Sequence, residues 1–146
     1  PIQEGDWLLI VHVCVFNQNG QILIQKRADS KDRYPGCWDL SAGGFAKSGE
    51  NSVQAAIREL KEELGIALTA DRLIFAHSEP FICVHDDIFI LYTDISADSI
   101  IFQREEISAV KWADWNEVKT MLLNGTFVDY DIKLIDNIFK IAIKEI

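Results

Sequence analysis

Residues 51–64 constrain the fold most. Val53, Ile57, Leu60 and Leu64 recur there at spacings of four, three and four, the period of an α-helix and not of a strand. Gly65 follows where a left-handed C-terminal cap is expected. Strand-like sequence precedes this helix. Residues 7–16 are rich in β-branched and aromatic side chains, Asn17-Gln18-Asn19-Gly20 supplies a turn, and 21–27 sets Ile22 and Ile24 between Gln21 and Gln25, which predicts a hairpin. Tyr34-Pro35-Gly36 is a second turn, opening a short strand over 38–42 that Gly43-Gly44 is expected to break. After the helix, 72–78, 81–84, 88–93 and 107–112 read as strands, with His85-Asp86-Asp87 as the link between the second and third. Asp114, three residues before Glu117, resembles a capping box for a helix through Leu123, and Ile132, Ile135, Ile138, Phe139, Ala142 and Ile146 predict a C-terminal amphipathic helix. Strands interleaved with helices over one core predict an α/β fold, a layered α/β/α sandwich with a mixed β-sheet and a single domain over 1–146.

Charge then excludes classes of partner. The 23 acidic residues against 14 basic ones give a net charge of −9, which lacks the basic footprint of a nucleic-acid or membrane-surface binder. No apolar run approaches the ~20 residues of a membrane helix and no leader pattern opens the chain, so a cytoplasmic protein is expected. Pro1 in place of Met suggests that the native N-terminus extends further. Cys14, Cys37 and Cys83 are odd in number and widely spaced, and read as reduced thiols. His12 in an apolar strand reads as a core residue, as do Trp38, Trp112 and Trp115, although a Trp also suits base stacking.

The chemistry concentrates on the helix. With Glu59 at zero on a wheel of 100° per residue, Glu62 falls near about −60° and Glu63 near about +40°, whereas the apolar stripe centres near about +130°. Three carboxylates thus share a face expected to turn away from the core. Glu59 and Glu63 repel at i,i+4 and Glu59 and Glu62 at i,i+3, each pair costing roughly 0.2–0.5 kcal/mol. A divalent cation removes that repulsion, and all-oxygen donors select a hard ion, Mg²⁺ or Mn²⁺, which leaves positions open for water and phosphate oxygens. Arg58 lies within reach of Glu59 and Glu62 and reads as the group that orients them.

Gly44, five residues, Glu50, seven residues, then Arg58-Glu59-Leu60-Lys61-Glu62-Glu63-Leu64-Gly65-Ile66 resembles a complete Nudix box, the signature of the Nudix hydrolases. Agreement by chance at a given start is below about 10⁻⁸ at ordinary residue frequencies. The resemblance implies a hydrolase that uses Mg²⁺ or Mn²⁺ to cleave a diphosphate linkage in a nucleoside diphosphate joined to another moiety, or in a related small organic diphosphate. It implies Glu59, Glu62 and Glu63 as metal ligands, the Gly44 carbonyl as a further one, Arg58 as their orienter and Glu50 in support, unless Glu50 only opens the helix. It further implies Glu106, the acid just before the strand over 107–112, as a ligand or the general base, unless Glu106 is only an exposed charge; Glu59 is the other candidate base. A homodimer is a family-level expectation.

Gln25-Lys26-Arg27, Lys31 and Tyr34-Pro35-Gly36-Cys37-Trp38-Asp39-Leu40-Ser41-Ala42-Gly43-Gly44 are similar to the hydrolases nearest isopentenyl-diphosphate isomerase. By that resemblance Arg27 and Lys31 contact the substrate diphosphate. Two alternatives remain: a nucleotide-binding Nudix domain without catalysis, and the isomerase itself. Against the latter, the isomerase's catalytic Cys aligns with Gly43 and a metal-binding His with Phe45, while of its later carboxylate pair only Asp87 remains beside His85.

Overall fold

A computed structural model describes residues 8–81 and 83–146. Its elements run β1 Leu8–Phe16, β2 Ile22–Arg27, β3 Trp38–Asp39, β4 Ala42–Phe45, α1 Ser52–Leu64, β5 Ile74–Phe81, β6 Val84–Tyr92, β7 Ile107–Ala113, α2 Trp115–Asn124 and α3 Ile132–Lys144. The sheet is mixed, because β1 pairs antiparallel with β2 and parallel with β6. Trp7, where the first strand was expected to open, lies outside the described residues, as does Ile82 in the expected strand over 81–84.

Both faces of the sheet are covered, which explains why β1 and the second half of β6, residues 88–92, read as nearly continuous apolar runs. Cys14, Phe16, Ile22, Ile24, Ile88 and Ile90 pack on one side under Val118 and Met121 of α2 and Ile135, Ile138 and Phe139 of α3. Val11, Val13, Val15, Leu23, Phe89 and Leu91 pack on the other under Ala55, Ala56, Leu60 and Leu64 of α1. Trp38 and Trp115 join the first core and Trp112 the second.

Four sequence expectations change. Gly43 and Gly44 do not end a strand; they lie inside β4, paired with His12 and Val11 of β1. The strand expected over 38–42 is divided at Leu40 and Ser41, because the buried Ser41 hydroxyl accepts the Val15 N–H at 2.9 Å and donates to the Leu23 carbonyl, pinning the chain between β1 and β2. His85, Asp86 and Asp87 are not a link but part of β6, in register with Leu9, Ile10 and Val11. An aspartate at 86 is tolerated in that strand because His12, on β1, lies beside it. Finally, Asp114 caps α2 by accepting the Glu117 N–H, but the Glu117 carboxylate pairs with Lys111 in place of closing the box; the reciprocal box forms at α1, between Asn51 and Gln54.

The site follows from how β1 shares its edges. One edge is given wholly to β6, whereas the other is divided between β4 over Ile10–Val13 and β2 at Phe16↔Ile22. β2 therefore splays from the front half of β1, and a cleft of about 360 Å³ opens between β2 and β4.

Candidate active site

β4 lays its two glycines against the acidic face of α1. An ideal Cβ on Gly44 would lie 2.5 Å from Glu59 Oε1 and 2.7 Å from its Cδ, so any side chain there would displace that carboxylate. This face does not turn to solvent as the wheel suggested. Ala55 falls near about −40° on the same wheel, between Glu59 and Glu62, and is fully buried. β4 covers what would have been an exposed acidic stripe, so Glu59 and Glu63 are largely buried carboxylates while Glu62, at 47% exposure, remains at the edge.

Arg58 holds the cluster together. Its Nε and Nη2 donate to the two oxygens of Glu50 at 2.8 and 2.9 Å, and Nη2 also donates to the Phe45 carbonyl at 3.0 Å. Its Nη1 donates to Glu59 at 2.9 Å and Glu62 at 3.1 Å. The sequence suggested a pairing with the helix acids; the bidentate partner is Glu50, which precedes the helix and also accepts the Lys47 N–H. The Arg58 guanidinium and that N–H pull the Glu50 carboxyl down to about 2. Glu59 moves the other way, because burial outweighs Arg58 and raises it.

Glu63 accepts the Gly43 N–H at 2.9 Å and lies 3.4 Å from the Gln25 amide nitrogen. Burial, helped by the charges of Glu59 and Asp39 and opposed by the Gly43 N–H, pushes its carboxyl up to about 8 from an ordinary 4.5. Between those two values the folded protein keeps a proton that the unfolded chain has lost, so metal-free stability falls as pH rises through that window. Thermal melts in chelator should give a lower Tm at pH 8 than at pH 5, with a smaller fall in Glu63→Gln. Divalent cation affinity should rise over the same window, since the ion must displace that proton.

Among the described residues no three carboxylate, imidazole or thiol groups are placed to hold an ion directly. Arg58 takes oxygens of Glu59 and Glu62, and the Gly43 N–H takes one of Glu63. Arg58 is thus the cluster's internal counter-charge. Arg58→Met leaves three carboxylates without it, and Tm in chelator should drop by on the order of 5 °C. Mg²⁺ should restore more of that loss than it adds to the parent protein; an unchanged Tm would contradict the assignment.

The remaining sequence candidates divide. Arg27 and Lys31 line the cleft together with Gly43, Gly44 and Glu63. Glu106 does not; its carboxylate is held by Lys31 and faces an adjoining shallow pocket with Arg27 and Arg33. His12, read as a core residue, is instead a wall of the cleft, with Nδ1 on the Asp86 carboxylate at 2.8 Å. Gln25 and Asp39, quoted above only within a resemblance and given no role, and Tyr130 also line it. Asp86 carried no signal of its own, because it sits in a polar run with His85 and Asp87. Tyr130 carried none, because its partners lie 91 and 118 residues away.

Comparison with known proteins gives a consistent picture. A family model described as NUDIX domain matches residues 7–135. An uncharacterized Nudix hydrolase of Listeria innocua is 39% identical over 129 residues, 88% of this chain and 76% of that protein. The crystal structure of DR0079 from Deinococcus radiodurans matches with a TM-score of 0.75 at 26% identity, over 92% of this chain and 88% of that one. An isopentenyl-diphosphate Delta-isomerase of Salmonella heidelberg is 27% identical over 114 residues, 75% of this chain and 63% of that protein.

Proposed function

The chain belongs to the Nudix family and is a hydrolase, and from that premise we propose that it uses a divalent cation to hydrolyse a diphosphate linkage in a small organic diphosphate, of the class in which a nucleoside diphosphate is joined to another moiety. The observation that carries this reading is the burial of Glu59 and Glu63 under Gly43 and Gly44, beside a cleft whose lining includes Arg27, Lys31 and Arg33. Carboxylates so placed cost stability unless a cation joins them, and a basic lining in a protein of net charge −9 suits an anionic substrate. Glu59, Glu62, Glu63 and the Gly44 carbonyl are hard oxygen donors that fit Mg²⁺ or Mn²⁺. Such an ion neutralises diphosphate charge and lowers the pKa of an attacking water.

The chain's own residues do the rest. Arg58 fixes the rotamers of Glu59 and Glu62, Glu50 braces Arg58, and Arg27 and Lys31 donate to the diphosphate oxygens. Water adds to one phosphorus as the bridging P–O bond breaks; its proton passes to a carboxylate and then to the departing phosphate. We assign that proton to Glu59 in preference to Glu106, because Glu59 belongs to the acidic cluster on α1 whereas Glu106 is held by Lys31 in an adjoining pocket. The isomerase reading is disfavoured by space as well as by residue type. A Cβ at position 43 would lie 2.4 Å from the His12 ring and 2.8 Å from the Val11 carbonyl, so the cysteine that the isomerase needs has no room. We further propose that the protein is cytoplasmic and a homodimer; light scattering checks the second.

The test is a panel of nucleoside triphosphates, sugar nucleotides, dinucleoside polyphosphates, coenzyme A and isoprenoid diphosphates, with Mg²⁺ or with chelator. Mg²⁺-dependent turnover in ¹⁸O-water, with one label in a single phosphate product, is the expected result. No turnover of any member would favour a binding domain.

A further inference from the structure

We propose that Tyr130, backed by His12 and Asp86, is a positioning residue that fixes the Arg27 guanidinium through Asp39 for contact with the substrate diphosphate; the role given to Arg27 rests on the function proposed above. The contacts form one unbroken chain across five segments. Asp86 on β6 holds His12 Nδ1 on β1, with both carboxylate oxygens at 2.8 Å. His12 Nε2 lies 3.2 Å from the Tyr130 hydroxyl, which donates to Asp39 Oδ1 on β3 at 2.5 Å. Asp39 Oδ1 also accepts the Leu40 N–H, and its Oδ2 accepts from Arg27 Nη1 on β2 at 3.3 Å.

Proton bookkeeping gives the chain a direction. Nδ1 faces a carboxylate and must donate. The Tyr130 hydroxyl spends its one hydrogen on Asp39, so toward His12 Nε2 it can only accept. Two features separate this arrangement from ordinary core polarity. Buried charges are a costly way to stabilise a fold, since apolar side chains of similar volume are commonly as good or better. The chain also ends at the cleft. Arg27 Nε is held by the Arg33 carbonyl and Nη1 by Asp39, whereas Nη2 makes no hydrogen bond among the described residues. With two nitrogens tied back, the third is presented to an anion in a fixed orientation. Space is reserved for this arrangement, because the His12 ring fits only while position 43 is glycine. Val128 and Tyr130, two apart, both face the cleft, and the Val128 N–H on the Trp38 carbonyl at 2.8 Å ties that segment to β3.

The test is calorimetric titration with methylene diphosphonate and Mg²⁺, a probe that cannot be hydrolysed. Tyr130→Phe and Arg27→Met should each weaken binding by about tenfold, and the double variant should be no weaker than Arg27→Met alone. Asp39→Asn should behave as Tyr130→Phe does and serves if the latter does not fold. On any substrate found in the panel, Tyr130→Phe should raise KM and leave kcat within about twofold. Unchanged binding by Tyr130→Phe, losses that multiply to about 100-fold in the double variant, or no binding by the parent protein would each overturn the proposal. A protein that hydrolyses nothing but shows the coupling contradicts the proposed function and leaves this inference standing; a working hydrolase with multiplying losses does the reverse.

Discussion

Glu63→Gln should lower kcat/KM for the Mg²⁺-dependent reaction by about 10³-fold and leave the fold intact. The two halves of this expectation have separate physical causes. Glu63 is largely protonated at neutral pH in the metal-free protein, because burial holds its carboxyl near 8. A glutamine therefore matches the shape and charge of the resting side chain, and its carbonyl oxygen can still accept the Gly43 N–H. Tm in chelator at pH 7 should accordingly be preserved or raised. Function differs, since the proposed metal site needs the anion that glutamine cannot supply. Activity within tenfold of the parent would remove Glu63 from the ligand set.

Gly44→Ala should cost about 10²-fold in kcat with little loss of stability, the converse of what an ordinary glycine in a strand would show. The added methyl would meet Glu59 at 2.5 Å from Oε1 and 3.0 Å from Oε2, and all three close contacts are to that one carboxylate. A flexible carboxylate can swing away at small cost to the fold, but it then leaves the Arg58 Nη1 and the acidic cluster. Circular dichroism melts and steady-state kinetics on the same preparation separate the two effects. A large fall in Tm with kcat unchanged would mean that Gly44 serves the sheet and not the site.

The sequence made the grouping of carboxylates on the α1 side of the candidate site legible. A helix period locates Leu60 and Leu64, the same wheel brings Glu59, Glu62 and Glu63 to one face, and both results depend on residues a few positions apart. It misjudged where that face points, because nothing local reveals that β4 folds back over Ala55 and Glu59. The cleft was legible only in part. Arg27 and Lys31 came from a resemblance, whereas the chain from Asp86 through His12 and Tyr130 to Asp39 depends on a parallel register between β1 and β6 and on a segment that follows α2. Such pairings are set by which side chains can satisfy one another once the sheet is assembled, so a buried aspartate and a lone histidine each look unremarkable until placed side by side. Glu106 shows the same limit from the other side. Its position before β7 suggested the site, but Lys31 reaches it first.

The central claim is that the acidic face of α1 is a divalent metal site for diphosphate hydrolysis, and Glu62→Gln tests it most directly. Glu62 is the most exposed of the three carboxylates, its structural contacts being one Arg58 bond at 3.1 Å and a Lys47 pair at 4.0 Å, so its substitution should hardly disturb folding. Initial rates on the most active member of the panel, measured against Mg²⁺ concentration for parent and variant, give the answer. The account predicts an unchanged Tm in chelator, at least a tenfold weaker Mg²⁺ half-saturation and a kcat lower by about 10²-fold; superimposable Mg²⁺ curves would contradict it.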